Sequence, residues 1–285
     1  MTGQWFREEL YPHWRQSFAI SRELYRADDG LQDIVLFETP GFGRVLTLDG
    51  GIQVTTGDEF IYHEMLAHVP IYAHGAVKTA CVVGGGDGGM LREILKHQAI
   101  QQAVLVEIDA AVVEFCRTHM PSVSDGAFDD PRTEIVIADG LRYMAETTRK
   151  FDLIVIDSTD PIGPGGVLFT EAFYKDCARC LTADGIVVNQ NGVPFLQGEE
   201  VTDTWRRRRP HFTDVGFYTA AVPTYVGGLM ALGWASHSLR PRHESPDTIA
   251  ARFQAAPVAT RYYTPDIHKA SFALPKYVQD LIPGQ

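Results

Sequence analysis

The sequence predicts an α/β fold: a mostly parallel sheet ending in an antiparallel hairpin, behind a small N-terminal antiparallel β-domain. Three observations predict it. From residue 79 onward, apolar strand-like runs alternate with helix-like ones. The run Val82-Val-Gly-Gly-Gly-Asp-Gly-Gly89 joins the first of these strands to a helix start at Met90–His97, the βα turn of a Rossmann-like nucleotide-binding sheet. Residues 17–57 instead hold short strand-like runs punctuated by Asp28-Asp-Gly30, Pro40-Gly41 and Asp49-Gly-Gly51, the mark of antiparallel hairpins.

Each element follows in order. Ser17–Tyr25, Gln32–Glu38, Gly43–Leu48 and Gly51–Thr55 read as strands because β-branched and apolar residues dominate them. Asp58 opens a helix to about His68, closed by Pro70. Strands are then expected at Thr79–Val83, Ala103–Ile108, Glu134–Ala138, Leu153–Asp157 and Gly185–Asn189, with helices between them, Phe169–Leu181 the clearest. Such alternation implies a parallel sheet covered on both faces. Asp214–Ala221 and Leu229–Ser236 are joined by a connection too short for a helical crossover, so they form the closing hairpin. The division expected is 1–70 for the β-domain plus linking helix and 71–285 for the α/β domain.

Bulk composition narrows the class. The 285 residues suit one large domain with a small appendage, and 45% hydrophobic with 21% charged residues is ordinary for a globular chain. A net charge of −11 speaks against nucleic acid and suits a cationic small molecule. No run reaches the ~18 apolar residues of a membrane span. Trp5–Leu10 is too charged for a signal peptide, so a cytoplasmic location is expected. The four cysteines do not make a disulfide framework, and Cys177-x-x-Cys180 reads as two core-facing thiols one helical turn apart. Arg206–Arg209, on a helix before Pro210, reads as a solvated face.

Chemistry is sought at the C-terminal strand ends, where open parallel sheets bind ligands. The first ends in the glycine loop, where Gly84, Gly86 and Gly89 satisfy G-x-G-x-x-G. Asp87 stands there where backbone amides would receive a pyrophosphate, and a carboxylate favours a cation instead. The second strand ends at Glu107, 18 residues beyond Gly89, the right distance for an acid on ribose hydroxyls. The third ends at Asp139-Gly140, suited to an adenine edge; the fourth ends in Asp157-Ser158-Thr159-Asp160-Pro161. Any one acid could be a helix cap, the reading preferred for Asp109, and Asp139 is open to both. Acids at four successive strand ends exceed what capping requires. They suit an amine substrate: one carboxylate binds an ammonium and another accepts a proton. No His/Cys/Asp spacing indicates a metal, although His63 and His68 share a helix, and no G-x-S-x-G elbow occurs.

Leu48-Asp-Gly-Gly-Ile-Gln53, Asp58-Glu-Phe-Ile-Tyr-His-Glu-Met65, Gly84-Gly-Gly-Asp-Gly-Gly89, Val106-Glu-Ile-Asp109, Asp157-Ser-Thr-Asp-Pro-Ile-Gly-Pro164 and Pro223-Thr-Tyr225 together resemble the spermidine synthase family, most closely its bacterial members. The resemblance runs from the N-terminal strands to Ala273-Leu-Pro-Lys-Tyr277. It implies a methyltransferase-type α/β domain and aminopropyl transfer from decarboxylated S-adenosylmethionine to putrescine, giving spermidine and methylthioadenosine. The donor would be a co-substrate, with no cofactor and no metal. By resemblance, Gln32 and Gln53 contact the donor from the N-terminal domain, Glu107 holds its ribose, and Asp139 and Gly140 meet the adenine, with Pro164 packed nearby. Asp87 would hold the aminopropyl ammonium and Asp157 would be the base, with Ser158 or Tyr62 available as a relay. Asp160 with Tyr62, His63 and Tyr225 would form the diamine site, flanked by Ser158 and Thr159. A homodimer or homotetramer is expected. Three alternatives remain on the sequence alone: a methyltransferase such as a putrescine N-methyltransferase, a nicotinamide-dependent dehydrogenase, and a non-catalytic polyamine sensor.

Overall fold

The structure is a computed structural model that describes residues 3–28, 33–158 and 163–283. Its elements are, in chain order, β1 (Trp5–Tyr11), β2 (Trp14–Ala19), β3 (Arg22–Asp28), β4 (Asp33–Thr39), β5 (Gly43–Leu48), β6 (Gly51–Thr55), α1 (Glu59–His74), β7 (Thr79–Gly84), α2 (Gly89–Leu95), β8 (Gln102–Glu107), α3 (Ala110–His119), α4 (Pro121–Ser124), β9 (Thr133–Ile137), α5 (Gly140–Glu146), β10 (Phe151–Asp157), α6 (Glu171–Cys180), β11 (Leu181–Gln190), α7 (Pro194–Arg208), β12 (Asp214–Ala220), β13 (Met230–Ser236), α8 (Pro246–Ala255), α9 (Pro265–Ser271) and α10 (Lys276–Gln279).

Among the described residues the main sheet has seven strands, in the order β12-β13-β11-β10-β7-β8-β9. The five from β11 to β9 pair in parallel, while β13 inserts antiparallel between β11 and β12. This is the mostly parallel sheet with a closing hairpin that the alternation implies. Alternate residues of one strand feed opposite cores, since successive side chains in a strand point to opposite faces. Ala80, Val82, Leu153 and Val155 pack with Met65, Leu66 and Leu91 of α1 and α2. Cys81, Val83, Ile154 and Ile156 pack with Met144 of α5 and Phe173 and Cys177 of α6. Strand order reverses beside β7, and the C-terminal ends of β7 and β10 mark the place where such sheets bind ligands.

The N-terminal strands form two further sheets, the hairpin β1-β2 and the meander β3-β4-β5-β6. The meander rests on α3 and α4 through Leu36, Leu46 and Val54 against Cys116, Met120 and Val123.

Three expectations are corrected. The strand expected at Ser17–Tyr25 is the end of β2 and the start of β3, and β1 precedes both. Glu8 occupies a buried position of β1, where its carboxylate accepts the Ile52 amide at 2.8 Å and a Gln16 side-chain bond. A charged residue on the inner face breaks the alternation that would announce the strand. Pro70 does not end α1, which continues to His74 and stops at Gly75 in the left-handed region (φ 79°). Nearly every side chain of α1 is buried, and that packing outweighs the roughly 3 kcal/mol disruption of an internal proline. Arg208 is not part of a solvated face: it is fully buried, its guanidinium 4.5 Å from the Tyr174 ring centre. Cys177 and Cys180 are free and buried, as expected of core thiols.

Candidate active site

A cleft of about 820 Å³ opens between the N-terminal strands and the C-terminal ends of β7, β8 and β10. Gly84, Gly86, Asp87, Glu107, Asp139, Gly140, Asp157 and Ser158 line it from the main sheet, and Gln53 lines it from β6. At its inner end a polar recess is lined by Tyr62, His63, Asp87, Asp157 and Tyr225. Gln32, Thr159 and Asp160 lie outside the described residues, and Pro164 enters the short 3₁₀ segment Gly163–Phe169.

The register places Asp157 directly beside Gly84 across the β7–β10 pair. Gly84 is in the left-handed region (φ 82°), and a β-carbon there would collide with the Asp157 carbonyl. The same carbonyl accepts the Gly85 amide at 2.8 Å. The glycine loop therefore first serves to bring backbone against the end of β10.

Asp157 is the last residue of β10, and one of its oxygens accepts the Tyr62 hydroxyl at 2.6 Å. Burial, and next the neighbouring Asp87, push its carboxyl up to about 6, against the pull of His63 and Tyr62. Asp87 Oδ1 accepts the Gly89 amide at 2.7 Å, and its Oδ2 lies 3.7 Å from His63 Nε2. The other ring nitrogen, Nδ1, meets Glu59 Oε2 at 2.6 Å. Burial alone would depress His63, but Asp87, the Glu59 bond and Asp157 lift it to about 9. His63, Asp87 and Asp157 bring one donor atom each within 4.8 Å of one another.

Tyr225 donates to the Gln53 carbonyl at 2.7 Å and stands edge-on to Tyr62, with ring centres 6.0 Å apart. Thr224 fixes that loop by giving its amide to Asp58 at 2.7 Å. Farther out, Glu107 Oε1 accepts the Asp109 amide at 3.1 Å, and burial raises its carboxyl. Asp109 caps α3 through the Ala111 amide at 2.8 Å, the role expected of it. Asp139 caps α5 by accepting the Leu141 amide at 2.9 Å, and it also lines the cleft.

The site also contains residues the motif reading omits. Glu59 lies one helical turn before His63, a spacing visible in the sequence once His63 is taken as functional. Gln190 ends β11, lines the cleft and donates to the Ser158 carbonyl at 3.4 Å; extending the strand-end rule to a fifth strand finds it. Tyr11 of the hairpin reaches Gln197 of α7 at 2.8 Å, a long-range pairing with no local signal.

Residues 59–244 match the spermine/spermidine synthase domain, and residues 4–56 match the spermidine synthase tetramerisation domain. The chain belongs to the spermine/spermidine synthase family. It is 54% identical over 279 residues to a polyamine aminopropyltransferase of Ruegeria sp. (strain TM1040), covering 98% of both chains. It is 50% identical over 282 residues to one of Shigella sonnei (strain Ss046), covering 99% of this chain and 98% of that one. A crystal structure of spermidine synthase in complex with the transition-state analogue AdoDATO superposes with a TM-score of 0.92 at 38% identity, covering 99% and 95% of the two chains. That of spermidine synthase from Thermotoga maritima gives 0.91 at 37%, covering 99% and 94%. The family chain is thus an aminopropyltransferase with the methyltransferase-like fold. Among the described residues no helix is long and apolar enough to cross a membrane.

Proposed function

We propose that this aminopropyltransferase moves the aminopropyl group of decarboxylated S-adenosylmethionine to putrescine, with Asp157 as general base. The observation that carries the reading is the half-buried Asp157 carboxylate, lifted to about 6 beside Asp87 and bonded to Tyr62 at the sheet's switch point. The donor's sulfonium makes its propyl carbon electrophilic. The amine nitrogen forms the new C–N bond as the C–S bond breaks, and the electron pair leaves on sulfur as neutral methylthioadenosine. The amine must first lose a proton, because the ammonium has no lone pair. Asp157 takes it, directly or through the Tyr62 or Ser158 hydroxyl. Asp87 holds the aminopropyl ammonium by a charge-assisted bond. Tyr62 and Tyr225 flank the diamine's apolar middle, with Asp160 assigned to its far end and His63 beside its reacting end.

Glu107, Asp139, Gly140, Gln53, Gln32 and Pro164 are assigned to the nucleoside, and aligning the two substrates supplies much of the remaining rate. No metal is needed, since the leaving group is already activated. Four free cysteines support a reducing, cytoplasmic setting, and the tetramerisation-domain match supports a homotetramer.

The test is incubation with putrescine and each donor, intact or decarboxylated, followed by product mass. An aminopropyl adduct with only the decarboxylated donor is expected; a methyl adduct would make the chain a methyltransferase, and binding without turnover a sensor. Asp157→Asn should lower kcat by about 10²–10⁴, and wild-type kcat/KM should fall as pH drops through about 6, where Asp157 protonates. Near-wild-type turnover in that variant would remove Asp157 as the base.

A further inference from the structure

Behind the cleft, the recess continues into the protein as a line of charges. Arg92, from α2, grips the Glu59 carboxylate with both terminal nitrogens, at 2.9 and 2.7 Å. Its Nε meanwhile holds Glu93 at 2.8 Å, so the fork cannot rotate freely. Glu59 in turn bonds His63 Nδ1. The imidazole is seated on Gly89, where any β-carbon would collide with the ring. Its remaining nitrogen points at Asp87. From Arg92 to the cleft the order is cation, anion, then an imidazole, then two acids.

We propose that Glu59, held by Arg92, is a positioning residue that keeps His63 an imidazolium between Asp87 and Asp157, so that Asp157 stays ionised beside a second carboxylate. This rests on the reading of Asp157 as the base. Two carboxylates in one desolvated site cannot both stay charged without a compensating cation. The groups facing His63 are Glu59 and Tyr62 on its own helix, Asp87 on the glycine turn and Asp157 on β10. Arg92 stands at one remove through Glu59, with Tyr225 beyond Tyr62 and Glu107 near Asp157. Within this set His63 is the titratable group able to supply positive charge at the acids themselves. Burial would raise Glu59, but its His63 and Arg92 bonds hold it at about 2, so it remains an anion throughout the working range. On this reading His63 serves the diamine site as a fixed charge and does not accept a bond from the ammonium.

The experiment compares the pH dependence of kcat/KM for wild type, Glu59→Gln, His63→Gln and the double variant, with ¹⁵N spectra of His63. Each single variant should move the acid limb up by roughly one pH unit, the scale of losing one nearby charge. The double variant should move it no further, because Glu59 acts through His63. At about pH 8 the His63 nitrogens should report an imidazolium in wild type and a neutral ring in Glu59→Gln. A merely structural Glu59 would lower activity evenly at all pH values. An unmoved limb in Glu59→Gln, additive shifts, or an imidazolium persisting in that variant would each overturn the proposal. Should Glu59→Gln fail to fold, His63→Gln keeps the Arg92–Glu59 pair and an unmoved limb there is equally decisive against it. Full activity in Asp157→Asn would instead remove the base assignment, an outcome distinct from the charge that the His63 nitrogens report.

Discussion

Asp87 occupies its own helix N-terminus. The start of a helix attracts an anion through free N–H groups and the macrodipole, and here Oδ1 of Asp87 takes the Gly89 amide. A phosphate arriving at this loop would meet a carboxylate already in place, whereas an ammonium would meet a partner. On the proposed function the same charge would discriminate between donors. Intact S-adenosylmethionine carries a carboxylate that the decarboxylated form lacks, and setting it beside Asp87 and Asp157 carries a penalty on the order of several kcal/mol. Asp87→Asn should therefore weaken binding of the decarboxylated donor and narrow the gap between the two, measured by calorimetric titration of each. An unchanged ratio would place the filter elsewhere. Asp87 was legible in the sequence because a carboxylate contradicts the motif around it. Glu59 was not, because a glutamate in the first turn of a helix is ordinary, and its bond to His63 depends on which face of α1 meets α2.

At the scale of the element, α1 joins the chemistry to the scaffold. Its cleft-side residues are Glu59, Tyr62 and His63, while Glu64 is buried among the C-terminal segments. There the carboxylate accepts three backbone amides, from Arg261 at 2.7 Å and from Tyr262 and Tyr263 at 2.8 Å. The Tyr263 amide is buried and needs such a partner away from water. Glu64→Gln keeps the shape but removes the charge and turns an NH₂ toward one of the amides. It should destabilise the fold by roughly 1–3 kcal/mol, seen as a lower urea midpoint, with the acid limb of activity unmoved. A shifted limb would mean that Glu64 also acts on the catalytic charges. The helix itself was legible in Asp58–His68, but its extent was not: Pro70 is a local stop signal, and only burial on every side overrides it. The β1-β2 hairpin was hidden for the converse reason, since the inward Glu8 is stabilised by its cross-strand neighbour Gln16 and by Ile52, a residue remote in sequence.

For the whole molecule, strand–helix alternation made the class of sheet readable, and the strand-end rule located the cleft. The order of strands was less accessible: the insertion of β13 between β11 and β12 is settled by packing against α1 and α7. Charge placement across this architecture separates the pH of greatest stability from that of greatest activity. His63, raised to about 9, contributes stability in full below its unfolded value near 6.5 and loses it as pH rises toward 9. His97 and His268 are depressed by burial to about 3, and their contribution is present above 6.5 and lost as pH falls below it, when the unfolded chain takes up protons first. Asp157 acts in the opposite sense on the acid side, because protonating it between about 6 and 3.8 relieves a buried charge. Two histidines outweigh one carboxyl there, and below about 4.5 Glu59 and Glu93, both held at about 2, add to the loss. Stability should therefore peak near pH 6.5 and decline on both sides. Turnover should keep rising past that point, since Asp157 is only partly ionised there. Urea midpoints from pH 4 to 9 at fixed protomer concentration, set beside kcat/KM over the same range, would show the two maxima displaced. Coincident maxima would mean that the buried histidines do not govern the fold's response to pH.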